Sequence, residues 1–307
     1  MVAHSLMVAL TVHARILARL AAKAVLQPYP GWVLGAGQAG SLQTRFRRAI
    51  WRLCARPFTV AWAEDLRLTL YPGNETSRSI FVTGLYEPNE FLLLSKILKP
   101  GMIVVDLGAN MGLYTLYAAR RIGTVGRVLA IEPSGRERAI LENNVGLNAL
   151  TNVTVRGNAI SDKVSEAELL VAQAQHSGHN TLGAFGYNTP LDHREKTQTE
   201  PLDDMVTADG LARVDVVKMD IEGAELKALR GARETLERHR PLLLLELSDR
   251  ALQHQDASSA DVLVLLAQYG YKVYGFDGQT GLPKPLEQKG YYDSENIIAV
   301  AGDSVPW

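Results

Sequence analysis

The stretch MIVVDLGANMG, residues 102–112, is the starting point. Its first half is a short apolar run, rich in β-branched residues and too brief for a helix, so it reads as a buried strand. Asp106 stands at the strand end and is expected to face the crevice beyond it. Gly108 and Gly112 let the backbone turn tightly and approach a ligand that a Cβ would exclude. Leu113, Leu116 and Tyr117 then open a helical period that closes near Ile122-Gly123. Strand, glycine elbow and helix form one crossover unit of a parallel sheet.

Working outward, the same alternation repeats. Residues 127–131 read as a second strand, and Ser134 with Glu137 as an S-x-x-E capping box opening a helix to about residue 147. Strands are expected at 153–155, 214–219 and 241–247, with a helix over about 224–238. A helix at 262–268 and strands at 272–276 and 297–300 complete the run. Upstream, residues 66–70 alternate like a half-buried strand and 87–98 read as a helix. Residues 161–200 are polar and broken by Gly178, Gly183, Gly186 and Pro190, so they read as an insertion with one strand near 167–172. Ligands on such sheets lie at the carboxyl ends of the strands, near the switch point.

The 307-residue chain is 47% hydrophobic and 21% charged, enough to bury a core, which excludes disorder, collagen-like repetition and a coiled-coil rod. The lone Cys54 excludes an intrachain disulfide framework and cysteine-rich zinc modules, and is expected to be a small buried or half-buried apolar residue. The net charge of −1 hides an asymmetry. Residues 1–63 carry eight basic residues and no acid, so the remainder holds 24 basic against 33 acidic residues. The expected organisation is a basic amphipathic extension over 1–60 and a catalytic domain over 61–307. Arg15, Arg19 and Lys23 recur every four residues opposite Leu6, Leu10, Leu17 and Leu20. The extension suits either helices packed on the domain or peripheral contact with an anionic membrane. Its apolar stretch falls far short of the ~20 residues of a spanning helix, so a cytoplasmic location is expected.

The chemistry gathers at strand ends. An acid beside a glycine elbow is a poor neighbour for a pyrophosphate and a good one for a cation. The G-x-G-x-x-G fingerprint also fails, because Asn110 stands between Gly108 and Gly112. Glu132 ends the second strand, 24 positions beyond Gly108, where a carboxylate can accept both hydroxyls of a ribose. A nucleoside site that tolerates a cation and disfavours a diphosphate describes S-adenosyl-L-methionine. Asp220 ends the fourth strand and Glu222 starts the next turn. Methyl transfer to a hydroxyl needs positioning and a base, and Asp220 is the first candidate, with His179 of the loop HSGHNT as rival. Glu87 and Glu246 are candidates for lining the acceptor pocket, and Lys218 is expected to pair with a neighbouring carboxylate. No metal site is expected, since Gly178 between His176 and His179 marks a mobile loop rather than a ligand pair.

DLGANMG, Glu132-Pro133, NAISD at 158–162 and KMDIEGAE at 218–225 together resemble the FkbM-type class I methyltransferases, as do GLYEPNE at 84–90, LDD at 202–204 and LLLEL at 243–247. The resemblance covers about residues 66–300 and excludes the basic extension. It implies a Rossmann-like, mainly parallel seven-stranded sheet, S-adenosyl-L-methionine as donor, and an oxygen acceptor on a sugar, glycolipid or other small molecule. It further implies that Asp106, Gly108, Ala109, Asn110 and Gly112 surround the methionine moiety, that Glu132 with Pro133 holds the ribose, and that Asn158 and Ala159 lie by the adenine. Leu107 and Met111 stand where the family more often has Val or Ile, and both keep the apolar character.

The rivals are a nicotinamide-dependent oxidoreductase or epimerase, a non-catalytic membrane-associated module of the same fold, and an RNA methyltransferase using the arginine-rich extension. No [DNS]-P-P-[YF] segment follows the fourth strand, and the acidic body disfavours a broad nucleic-acid footprint. The expected partner is a small-molecule or glycan acceptor.

Overall fold

The structure, a computed structural model, describes residues 42–84, 86–302 and 306–307. The first basic stretch, with Arg15, Arg19 and Lys23, lies outside the described residues. The chain divides into two compact units at Tyr86/Glu87. That division falls later than the 60/61 boundary read from the sequence, because β1 (Phe58–Ala61) pairs with β2 (Arg67–Leu70) across it.

In the first unit, helix α1 (Leu42–Trp51) carries the second basic stretch. Thr44, Arg47 and Trp51 recur at helical spacing and are buried, while Arg45 and Arg48 are exposed. Arg47 donates to the carbonyl of Phe81 on α2 (Glu75–Thr83) at 3.0 Å, so one basic side chain serves packing. Trp51, Phe58 and Phe81 close the cluster, with ring centroids 5.5–6.2 Å apart. Cys54 is half-buried and donates to the Ile50 carbonyl. The sequence reading missed α2, a polar helix made possible by Asn74, which accepts from the Ser77 N–H as its N-cap.

The second unit opens with α3 (Pro88–Ile97), then β3 (Ile103–Leu107), α4 (Leu113–Ile122), β4 (Arg127–Ile131), α5 (Gly135–Leu147) and β5 (Val153–Arg156). After β6 (Ala159–Ile160), β7 (Ser165–Ala172), β8 (Leu191–Glu200) and α6 (Leu202–Ala208) come β9 (Val216–Met219), α7 (Glu225–Arg230) and β10 (Leu242–Leu247). Helices α8 (Asp249–Leu252) and α9 (Ser259–Gln268) and strands β11 (Tyr271–Phe276), β12 (Pro283–Pro285) and β13 (Glu295–Ala301) finish it. The main sheet has the order β12-β11-β13-β10-β9-β3-β4-β5. Strands β5 to β10 pair in parallel and the β13, β11 and β12 edge is antiparallel.

The fold class is thus the expected α/β, Rossmann-like one, with eight strands rather than seven. The extra strand, β12, carries two prolines and sits at the edge, where a missing N–H leaves no ladder bond unmade. Val105, Leu107, Leu129, Ile131, Val217, Leu245 and Ile297 line the core, each burial contributing roughly 1.5–3 kcal/mol before entropy is counted. The chain leaves β3 toward β4 on one side and returns as β9 on the other. The switch point therefore lies between β3 and β9, where the elbow meets Asp220.

Three local readings are corrected. The insertion holds two strands rather than one, β7 and β8, which join β6 just before it in a three-stranded sheet of order β6-β8-β7. LDHREKTQTE has one apolar residue, so β8 offers no hydrophobic alternation; it pairs with β7 from Ser165↔Thr199 onward. The helix expected over 224–238 ends at Arg230, and a separate π-type turn, Thr235–His239, follows. Asp203 draws that turn in by accepting the N–H groups of Glu234 and Thr235. Ser134 does not form its capping box: its hydroxyl donates to the Glu137 carboxylate instead of accepting from the backbone. A capping box does form at Ser258 and Asp261. Among the described residues no helix is long and apolar enough to cross a membrane.

Candidate active site

The elbow is a run of left-handed residues. Gly108 (φ +77°), Asn110 (φ +48°) and Gly112 (φ +94°) all lie at positive φ, and Gly112 caps α4. The N–H groups of Gly108 and Ala109 both donate to the carbonyl of Ile131 at 3.0 Å, pinning the turn to the end of β4. On the other side, a Cβ at Gly108 would lie 1.9 Å from the backbone oxygen of Asp220. The elbow is therefore wedged between the tips of β4 and β9.

Asp106 does not face the crevice as expected. It is fully enclosed behind the elbow, accepts from the Thr115 hydroxyl on α4, and its Oδ1 has no partner. Burial raises its pKa and the Lys218 ammonium opposes that rise. Its role is to brace the loop from beneath. The carboxylates whose charges act on that ammonium are Asp220, Asp106 and Glu87.

Glu132 accepts the N–H of Asn110 at 2.8 Å and of Ser134 at 2.9 Å, one on each carboxylate oxygen. Each oxygen keeps a further lone pair for a ribose hydroxyl. Burial pushes its pKa up to about 7, against the pull of those two N–H groups. Arg138, which the sequence reading passed over, donates to the carbonyls of Glu132 and Pro133 at 3.0 and 2.9 Å. Its guanidinium also fills the place of a Gly157 Cβ, next to half-buried Asn158 and buried Ala159, so it joins the β4 and β5 tips into one wall. The residues present fit S-adenosyl-L-methionine: an elbow against two strand tips, a carboxylate with free lone pairs, and an unpartnered buried oxygen beneath.

Beside the elbow the structure brings four of the expected acids together. Carboxylate oxygens of Asp220, Glu222 and Glu246 all lie within 4.8 Å of one another, a spacing a cation could bridge. The chain's own cation there is Lys218, whose Nζ is 3.2 Å from Asp220 Oδ2. Glu87 faces the same group. It accepts from the Tyr114 hydroxyl and, at 3.2 Å, from Asn296, two partners the sequence reading did not find. Burial, followed by the charge of Asp220, raises the pKa of Glu87, Glu222 and Glu246. Glu246 also accepts from Ser294. Glu87 (φ +44°) and Glu222 (φ +50°) both adopt the left-handed region, an unfavoured conformation for a side chain-bearing residue.

The loop after β7 runs from the elbow to this cluster. Its Gly178 approaches Asn110, and Thr181 donates to the Glu222 carbonyl at 2.8 Å. His179 is stacked between His176 and Tyr187 and bonded through Nδ1 to Thr189. The carboxylates gathered at the β9 tip are those of Asp220, Glu222 and Glu246.

Residues 106–273 match the sequence profile of the Methyltransferase FkbM domain. A 2-O-methyltransferase, NoeI, from Sinorhizobium fredii is 25% identical over 208 residues, which cover 62% of this chain and 83% of NoeI. The antimetabolite synthetase AmbE from Pseudomonas aeruginosa is 29% identical over 65% of this chain and only 11% of its own length; methyltransferase sdnD from Sordaria araneosa is 29% identical over 43% and 60%. The chain thus spans a small part of the first relative and under two thirds of the second. Among solved structures, methyltransferase FkbM from Methylobacillus flagellatus aligns at 18% identity and a TM-score of 0.41, over 72% of this chain and 52% of that one.

Proposed function

The chain belongs to the FkbM methyltransferase family, and we propose that it transfers the methyl group of S-adenosyl-L-methionine to a hydroxyl of a sugar, glycolipid or small metabolite. The observation that carries this reading is the adjacency of two sites. The elbow and Glu132 form a nucleoside pocket, and the Asp220 cluster stands at the next strand tip, joined to the elbow by the Gly108 contact. The 2-O-methylating relative supports an oxygen acceptor.

When bound, the donor supplies an electrophilic methyl carbon on a sulfonium. Gly108, Ala109, Asn110 and Gly112 would hold its amino-acid end, with Asp106 bracing the loop from beneath, Glu132 and Pro133 would hold its ribose, and Asn158 and Ala159 its base. Asp220, held in place by the Lys218 ammonium, would take the proton of the acceptor hydroxyl. Glu222 and Glu246, pushed toward their protonated forms, are suited to donate hydrogen bonds to neighbouring acceptor oxygens, and Glu87 to complete that wall. Transfer of labelled methyl to a panel of glycans, lipid-linked sugars and small polyols tests the reading. Oxygen-methylated product is expected; methylation confined to amines or to RNA would overturn it.

Glu132 makes donor binding pH-dependent. Only its ionised form accepts two ribose hydroxyls, so affinity should rise as pH climbs through about 7. Without donor the sign is opposite: a folded pKa raised from 4.5 to about 7 stabilises the protonated fold, and that contribution is lost across this window as pH rises. Calorimetric titration with S-adenosylhomocysteine should show the rise in the native protein. Glu132→Gln should bind at least ~10-fold more weakly, consistent with losing a charge-assisted pair, and show no such rise. A flat native profile would remove Glu132 from the ribose site.

A further inference from the structure

Lys218 is buried at 7% exposure, on the strand that carries Asp220. In the β3–β9 pair it stands directly opposite Asp106. If it served only to neutralise that enclosed carboxylate, its ammonium would lie on Asp106. It does not. Its two hydrogen bonds go forward, to Asp220 Oδ2 at 3.2 Å and to the Gly108 carbonyl at 3.5 Å, while Asp106 Oδ1 is left without a partner. The ring of Tyr114 supports the ammonium from another side, with its centroid 4.8 Å away. A desolvated cation gains strongly from such a face. The same tyrosine donates to Glu87, so the lysine is fixed against both the donor elbow and the acceptor wall.

We propose that Lys218 is a positioning residue of the transfer: its ammonium clamps the Asp220 carboxylate to the Gly108 carbonyl, fixing the distance between base and donor loop. The proposal rests on the reading of Asp220 as base. Lysine suits the task because one compact charge with three donors can reach a carbonyl and a carboxylate at once. An uncompensated charge in this place would be costly, which explains why carboxylates surround it.

The test is the Lys218→Met variant, crystallised with S-adenosylhomocysteine. The Asp220 carboxylate is expected to leave its place by more than ~0.5 Å, the tolerance of a productive site. Turnover on an acceptor identified by the labelled-methyl panel should fall about 10²-fold in kcat, as misplacement of a reacting group by ~1 Å can cost, with little change in the donor KM. In an Asp220→Asn background the same substitution should cost nothing further, whereas losses that multiply would overturn the clamp. An Asp220 carboxylate still in its native position would overturn it as well. If Lys218→Met does not fold, Lys218→Gln, which keeps a donor without the charge, gives the same structural readout. Full activity of Asp220→Asn alone would instead remove the base, a distinct failure.

Discussion

Asparagine in place of Asp220 lowers kcat by roughly 10²–10⁴-fold, the usual contribution of a positioned general base, and leaves donor affinity within about twofold. The substitution conserves volume and removes only the capacity to hold a proton. The backbone of Asp220 continues to donate to the Leu107 carbonyl at 3.1 Å. Its carbonyl oxygen, the atom against which Gly108 packs, is untouched. An amide oxygen can also still accept from Lys218. The donor pocket should therefore keep its shape while the acceptor hydroxyl keeps its proton. Steady-state transfer of labelled methyl, paired with calorimetry using S-adenosylhomocysteine, separates the two effects. Unchanged kcat would take Asp220 out of the mechanism.

Gly108→Ala should weaken donor binding by a different route. The residue sits at φ +77°, where an L side chain costs roughly 1–2 kcal/mol. Its Cβ would also fall 1.9 Å from the Asp220 oxygen, 3.0 Å from the Asp220 carbonyl carbon and 3.3 Å from Ile221 Cγ2. Two of these are backbone atoms at the tip of a core strand and cannot swing aside as the end of a side chain can. Overpacking of this kind adds about 1–3 kcal/mol. Relief requires the elbow to move off the β9 tip, which displaces Asn110 from Glu132. Donor affinity should fall by at least ~30-fold, corresponding to the lower end of that combined cost. Gly123→Ala is the control. It too has positive φ, +68°, with ψ 179°, a conformation that alanine adopts at a cost of roughly 1–3 kcal/mol in stability, but nothing lies within 4 Å of its Cβ, so affinity should not change. Equal effects of both variants on binding would mean that backbone conformation, not the contact with Asp220, governs the elbow.

Much of this architecture was legible before any coordinates. A β-branched run followed by glycines and an amphipathic period can only be a buried strand turning into a helix, and residues 102–122 behave so. Strand ends are where parallel sheets bind ligands, which singles out Glu132, Asp220 and Glu246 as candidates in the sequence. What escaped the sequence had no periodic or positional signal. Strand β8 is polar after Leu191 and is specified by its partner β7 rather than by its own pattern. Asp106 was placed in the crevice because strand-end acids commonly point there. Its enclosure beneath the elbow goes with its bond to Thr115, nine residues on. Tyr114 and Asn296 were invisible for the same reason: each reaches Glu87 across long stretches of chain, 27 and 209 residues respectively. Lys218 was expected to pair with an acid, but a sequence cannot say that it would turn toward Asp220 and away from Asp106.

The choice of donor is open to one direct measurement. Isothermal titration of the purified full chain with S-adenosyl-L-methionine, and separately with a nicotinamide dinucleotide, reads which of the two the elbow accepts. Saturable binding of S-adenosyl-L-methionine, weakened in Glu132→Gln and Gly108→Ala, with no heat from the dinucleotide, is the expected result. Binding of the dinucleotide, or no binding of either, would contradict an elbow and a ribose carboxylate, Glu132, arranged to receive a sulfonium donor.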